Sequence, residues 1–377
     1  MIKMISKTTK QYQLKNYNFK LWLLVLIACI YGVIVINSAN PAYTKKQILG
    51  VVLCFIIMTV VSLIDYNFIC RFMWLLYFAN IIMLIAVKLF GKNVNGATRW
   101  FSIPGDLGTI QPSEFTKIIL IIFFALYIET HQEDFNSFQN LAKLAGLLLL
   151  PIGLIMWQPD LSTSIAIISI VLVMIFMGGL SFKLIGIALL ILIPTLTTFL
   201  WYVQTPNQVL LKDYQVDRIM SFLHPEDYLN TTGLQQSNSI MAIGSGQLFG
   251  KGLNNNTMAT VKGGNFISEQ QTDFIFSVIG EELGFVGSVI LIAIIALIVI
   301  QCMLIAVKAR NMSGKLIAVG IAALFSFQSF FNICVATGLM PNTGLPMPFI
   351  SYGLSSLLSS TIGIGLVLNV GLQKRKY

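Results

Sequence analysis

The sequence predicts an all-α, polytopic membrane protein with about ten transmembrane helices and a long extracellular loop between helices seven and eight. Three observations carry that expectation. Of 377 residues, 56% are hydrophobic and only 10% charged, with a mean hydropathy of +0.81. A soluble domain holds about 45–50% apolar and about 25% charged residues. Apolar runs of membrane-spanning length recur along the chain, and cations gather at their flanks. Too few polar residues exist to cover a water-facing surface of this size. The composition therefore excludes an ordinary cytosolic enzyme, a disordered chain and a nucleic-acid-binding domain.

The elements follow in order. Residues 1–20 form a basic N-terminus with Lys3, Lys7, Lys10, Lys15 and Lys20 and no acid. The first apolar run, Leu21 to Ala39, exceeds the roughly 7–15 residues of a signal-peptide core, and no small-residue cleavage site follows. It reads as a retained membrane helix. Further runs cover 47–64, 72–90, 115–128, 141–157, 161–180, 183–203, 273–307, 315–338 and 352–372. A helix needs about 20 residues to cross about 30 Å of hydrocarbon. The run 115–128 is short and needs its flanks; 273–307 is long and is expected to project or tilt.

An even number of spans puts both termini on one side, and their lysines make that side the cytoplasm. The Lys308–Lys315 connection then falls inside as well. The segments 91–114 and 204–272 fall outside, with Trp157 and Trp201 at outer helix ends. The 204–272 segment is too long for a simple connection. It reads as partly structured, with amphipathic pieces around Ile219–Phe222 and Ser237–Gly246. The net charge of +9, from 24 basic against 15 acidic residues, is explained by these flanking clusters rather than by nucleic acid. The five cysteines have no CxxC spacing and read as buried hydrophobes; two isolated histidines make a histidine metal site improbable. Gly250-Lys251-Gly252 fails as a phosphate-binding loop, because Ser245 and Gly252 stand where that motif requires Gly and Ser or Thr.

Charge at membrane depth marks a site by default. Glu114 and Lys117 lie three residues apart and share a helix face. They read either as an ion pair that lets a short helix enter the bilayer or as a catalytic or phosphate-binding pair. Asp160, before Ser162 and Thr163, suits a helix N-cap. Asp273 opens the long span, where the positive end of the helix dipole stabilises its carboxylate. On an ideal helix Glu281 lies about 80° and Glu282 about 180° from Asp273. Neither joins Asp273 in one cluster, and both read as holders of inter-helix hydrogen bonds. Lys92, Arg99, Lys212, Arg218, Lys251 and Lys262 add cations to the outer segments. These residues alone leave open a transporter or an enzyme acting on a lipid-linked substrate.

Four stretches, in order, resemble the SEDS family, the RodA, FtsW and SpoVE proteins of bacterial cell-wall synthesis. They are Asn95-Gly-Ala-Thr-Arg-Trp100 with Gln111-Pro-Ser-Glu-Phe-Thr-Lys117; Gln158-Pro-Asp-Leu161; Ala242-Ile-Gly-Ser-Gly246 with Gly250-Lys-Gly252 and Thr272-Asp-Phe-Ile-Phe-Ser-Val-Ile-Gly-Glu-Glu-Leu-Gly284; and Gly338-Leu-Met-Pro-Asn-Thr-Gly344 running on to Ser351-Tyr-Gly353. Gln271 stands where many members have His, Ser162 where Gly is usual, and the final motif lacks its second Gly.

The resemblance implies an inverting glycosyltransferase that polymerises lipid II, a disaccharide-pentapeptide on undecaprenyl pyrophosphate, at the outer face of the bacterial cytoplasmic membrane. It serves elongation and cell shape as in RodA, or division as in FtsW; the chain length suits the former slightly better. The resemblance places the key acid at Asp273, and matches Arg99, Trp100, Glu114 and Lys117 to functional motifs. A base must take the acceptor proton, and positive charge must meet the departing pyrophosphate. Asp273 is the expected base. Arg99, Lys117, Arg218 and Lys251 are the candidate cations, Trp100 a sugar platform or interfacial anchor. Mg²⁺ or Mn²⁺ on Asp273 could share the work. The implied partners are a class B penicillin-binding protein, other elongation or division proteins, and membrane lipid. The alternative is a flippase for the lipid-linked precursor.

Overall fold

The computed structural model describes residues 16–94, 97–102, 109–205, 208, 213–224, 233–254, 260, 264, 267 and 269–373. Among these, a helix occupies each apolar run. They are α1 (Phe19–Ala39), α2 (Thr44–Leu63), α4 (Met73–Phe90), α5 (Pro112–Thr130), α6 (Phe138–Trp157), α7 (Leu161–Met177), α8 (Phe182–Val203), α11 (Ile275–Val307), α12 (Met312–Ala336) and α13 (Leu354–Leu372). A short α3 (Tyr66–Arg71) joins α2 to α4. Seven of the long helices are apolar and long enough to cross a membrane, and α7 is apolar but shorter. Backbone hydrogen bonds satisfied within each helix make this the stable form of an apolar chain in lipid.

Helices α12 and α13 form the centre. In their apolar windows 78% and 83% of residues are buried, against 22% in α4 and α6 at the rim. α12 packs on α5, α7 and α11, and α13 on α2. The outward faces of α1, α2 and α4 carry exposed Leu, Ile and Phe, such as Leu75, Ile82 and Phe90. That inversion suits lipid, which does not penalise exposed apolar surface.

Four expectations change. The 91–114 segment is not simply a loop: β1 (Lys92–Val94), β2 (Ala97–Ser102) and β3 (Thr109–Ile110) pair antiparallel in that order. The span expected from 115 begins at Pro112, because proline is favoured in the first helical turn and the Glu114–Lys117 pair lets charge enter the helix. The long span starts at Ile275, with Asp273 in the preceding turn. That span is also broken rather than only tilted: Gly284 has φ 65 and ψ −159. The loop 204–272 contains α9 (Asp213–Leu223) and α10 (Leu234–Ser245), which hold the two pieces expected to be structured.

The break in α11 frees backbone groups, and a neighbouring segment takes them up. Lys251 and Gly252 donate their amides to the Glu281 and Glu282 carbonyls at 2.9 and 3.0 Å. Phe285 and Val286 donate theirs to Gln247 and Leu248 at 2.9 and 3.1 Å. Non-helical backbone at membrane depth persists only where such partners exist. The approach is so close that a Cβ on Gly250 would collide with the Glu282 carbonyl, and one on Gly284 with the Gly250 amide. The failed phosphate-loop motif is therefore a backbone clasp on α11.

Candidate functional site

Asp273 sits half-buried in the turn before α11. Several hydrogen bonds fix the backbone of this turn. Asn332, in the last turns of α12 and 1% exposed, donates Nδ2 to the Asp273 carbonyl and to the Leu345 carbonyl, each at 2.8 Å. Ser351 donates Oγ to the Thr272 carbonyl at 2.6 Å, and Tyr352 its amide to the Gln271 carbonyl at 2.9 Å. The 338–353 segment thus anchors the two residues before the acid, and Asn332 ties the acid's own carbonyl to that segment. Gly344 has φ 70, and a Cβ there would lie 3.2 Å from Asp273 Oδ2. The missing side chain is what lets the carboxylate lie against this segment. Beneath it, α10 braces the start of α11 and the end of α12. Ser239 donates to the Ala336 carbonyl at 2.6 Å, and Gln236 to the Val335 and Met340 carbonyls at 2.9 and 2.7 Å.

A second group gathers at the start of α5 and α7. Asp160 caps α7, accepting the Thr163 amide on Oδ1 at 3.2 Å, as expected from its sequence setting. Gln111 Nε2 donates to its other oxygen at 3.2 Å. Arg99, on β2, donates Nε to the Gln158 carbonyl at 2.9 Å and Nη2 to the Pro159 carbonyl, with Nη1 3.8 Å from Asp160 Oδ1. Its guanidinium lies 6.0 Å from the Trp100 ring centroid. Glu114 and Lys117 meet at 2.8 Å, 3% and 1% exposed, and Ser359 of α13 donates to Glu114 at 3.3 Å.

The two groups are joined. Ser162, beside the cap, donates to the Thr343 carbonyl, one residue before Gly344. Polar contacts therefore run from Lys117 and Glu114 through the α5 start, Gln111 and Asp160 to the segment against Asp273. Sequence order placed these motifs far apart; the fold makes them one polar seam.

Glu281 and Glu282 lie on the clasp. Lys251 Nζ meets Glu281 at 2.8 Å, and Ser38 of α1 donates to Glu282 at 2.7 Å. Glu282 makes the expected inter-helix bond, whereas Glu281 pairs with a lysine of the loop segment rather than with another helix. The Arg218 side chain, Lys212 and Lys262 lie outside the described residues. Asn332 and Gly344 had no assigned role in the sequence. An asparagine in an apolar run was the available signal for the first. Among the described residues no group of three or more His, Cys, Asp or Glu is placed to hold a metal ion.

A family model described as "cell cycle protein", covering FtsW, RodA and SpoVE, matches residues 18–376. The chain belongs to the FtsW/RodA/SpoVE family. It is 32% identical to the probable peptidoglycan glycosyltransferase FtsW of Trichlorobacter lovleyi, over 97% of this chain and 96% of that one. It is 34% identical to the peptidoglycan glycosyltransferase MrdB of Escherichia coli K12, over 94% and 93%. Among solved structures, a chain from a study of how a peptidoglycan synthase complex coordinates polymerisation and crosslinking superposes with a TM-score of 0.80 at 30% identity, covering 94% of this chain and 97% of that one. RodA of Thermus thermophilus superposes at 0.70 with 26% identity, over 96% and 98%. Membership makes this a multi-pass membrane protein. The seam unites motifs from all four stretches by which the family resemblance was read.

Arg99 tests how far this family site depends on that seam. Two of its donors hold the turn before α7, and hydrogen bonds to charged groups contribute about 1.5–3 kcal/mol each. Arg99→Gln is expected to lower the thermal midpoint measurably and to reduce polymerisation. An unchanged midpoint with lost activity would instead assign the guanidinium to substrate.

Proposed function

We propose that this chain is a peptidoglycan glycosyltransferase that polymerises lipid II at the outer face of the cytoplasmic membrane, both termini being cytoplasmic. The observation that carries this is a half-buried acid, Asp273, fixed at a helix start beside a seam that holds the buried Glu114–Lys117 pair, Asp160 and the more exposed Arg99. That arrangement is found in a chain whose full-length relatives are named for this activity.

The chemistry follows from the groups. The acceptor 4-hydroxyl oxygen bonds to the donor's anomeric carbon, and the bond from that carbon to the pyrophosphate oxygen breaks. Asp273 takes the hydroxyl proton. An α-linked donor and a β-linked product require displacement from the opposite face. The departing pyrophosphate needs positive charge. Among the described cations of the set, Arg99 and Lys251 are accessible, 20% and 25% exposed at their side chains, and Lys117 lies deeper. Trp100 offers a face for a sugar ring. With one carboxylate at the centre, Asp273 would share any Mg²⁺ or Mn²⁺ with substrate phosphates, and the ion would neutralise leaving-group charge.

Lys20, near the start of α1, and Lys308 and Arg310, in the α11–α12 connection, lie at the end away from Asp273, which supports the orientation. The partner is a class B penicillin-binding protein, which supplies peptide crosslinking. Near-equal identity to FtsW and MrdB fits elongation or division alike. Depletion is expected to give round cells if the role is elongation, and filaments if it is division.

The direct test is purified protein, with its partner, given lipid II in detergent. Glycan strands separated on a gel are the expected result. Intact lipid II, together with its translocation across sealed vesicles, would overturn polymerisation in favour of a flippase, because detergent offers no second compartment.

A further inference from the structure

A cavity of about 470 Å³ opens between the start of α1 and the ends of α11 and α13. It lies at the opposite end from Asp273. The last residues of α1, Ser38 and Ala39, contact Glu282 and Gln270 near the site. The cavity meets the first residues of the same 21-residue helix, about 30 Å away at 1.5 Å per residue.

Among the described residues its lining includes Lys20 and Lys308 and no carboxylate. Neither ammonium group has an ion-pair partner among the described residues. Asn18 donates Nδ2 to Gln301 Oε1 at 3.1 Å across the cavity wall, tying α1 to α11. The rim is apolar, with Phe19 68% and Leu304 46% exposed. Cations, neutral amides and an apolar rim thus meet at one lipid-facing opening.

We infer that this cavity binds the phosphate of an anionic glycerophospholipid from the leaflet at that end. Lysines that only set topology need no cavity between them. Basic pockets between transmembrane helices do hold acidic lipid headgroups. The volume falls within the roughly 300–1,000 Å³ of small-ligand sites. The apolar rim continues toward the acyl chains, which a free phosphate would not require.

The test uses the full chain in nanodiscs of phosphatidylglycerol and phosphatidylethanolamine, followed by native mass spectrometry of retained lipid. Wild type is expected to keep one phosphatidylglycerol, and K20Q/K308Q to retain at least tenfold less. K143Q/K183Q removes two exposed lysines that do not line the cavity, and should retain it as wild type does. Retention within twofold in K20Q/K308Q, or equal loss in K143Q/K183Q, would overturn the site. If millimolar inorganic phosphate displaces the lipid and stabilises the protein equally well, the lipid assignment falls and the ligand is a soluble anion. Both variants change exposed side chains, and unchanged thermal midpoints confirm their folding.

Discussion

Asp273→Asn is expected to insert, fold and purify like the wild-type protein and to form essentially no glycan from lipid II. The substitution is close to isosteric, and two hydrogen bonds that fix this turn are made to backbone carbonyls. Asn332 bonds the Asp273 carbonyl and Ser351 bonds the preceding one, so both bonds survive. What is lost is the proton acceptor, since an amide at neutral pH takes no proton from a sugar hydroxyl. General-base catalysis contributes about 10²–10⁴-fold, and loss on that scale leaves no visible strands on a gel. The measurement is lipid II polymerisation at matched protein and partner concentrations, beside a thermal melt. Product near the wild-type level would remove Asp273 as the base. A collapsed melt would show that the side chain is structural. Asn332→Leu gives the complementary result: the acid remains, its backbone anchor goes, and both stability and activity fall.

Helix positions were legible because lipid demands long apolar runs, and ten such runs emerge as helices with ends shifted by a few residues. The start of α5 moved by three residues, from 115 to Pro112, as did the starts of α2, α6 and α12. Hydropathy counts Glu114 and Lys117 as interruptions, whereas the fold neutralises each with the other. The break at Gly284 was invisible for a different reason. It depends on partners at Gln247–Gly252, a loop segment whose amides and carbonyls carry no signature in the side-chain pattern. The three short strands lie in a polar segment where alternation is too brief to register. Asp160 as a cap and Glu282 as an inter-helix tie were legible because charge at depth has few tenable surroundings, whereas Glu281 pairs with a loop lysine. Asn332 and Gly344 were not, since one acts through carbonyls and the other through the absence of a side chain.

The Glu114–Lys117 pair separates structural from functional charge more sharply than any single substitution. Both groups are buried, meet at 2.8 Å and sit at the start of α5 against Ser359 of α13. Removing one partner leaves an uncompensated charge, at a cost of about 3–5 kcal/mol. Glu114→Gln and Lys117→Met should therefore each lower the thermal midpoint and the yield of inserted protein. Replacing a buried pair by neutral groups of similar volume is often neutral or stabilising, so the double variant E114Q/K117M should regain the wild-type midpoint. Stability alone thus gives no reason for the pair. Its place at one end of the seam that reaches the Asp273 segment does. The double variant is accordingly expected to stay at least a hundredfold below wild type in lipid II polymerisation despite its recovered melt. Activity that returned together with stability would make the pair a device for admitting α5 to the bilayer, and the chemistry would then rest on Asp273 with the more exposed Arg99 and Lys251.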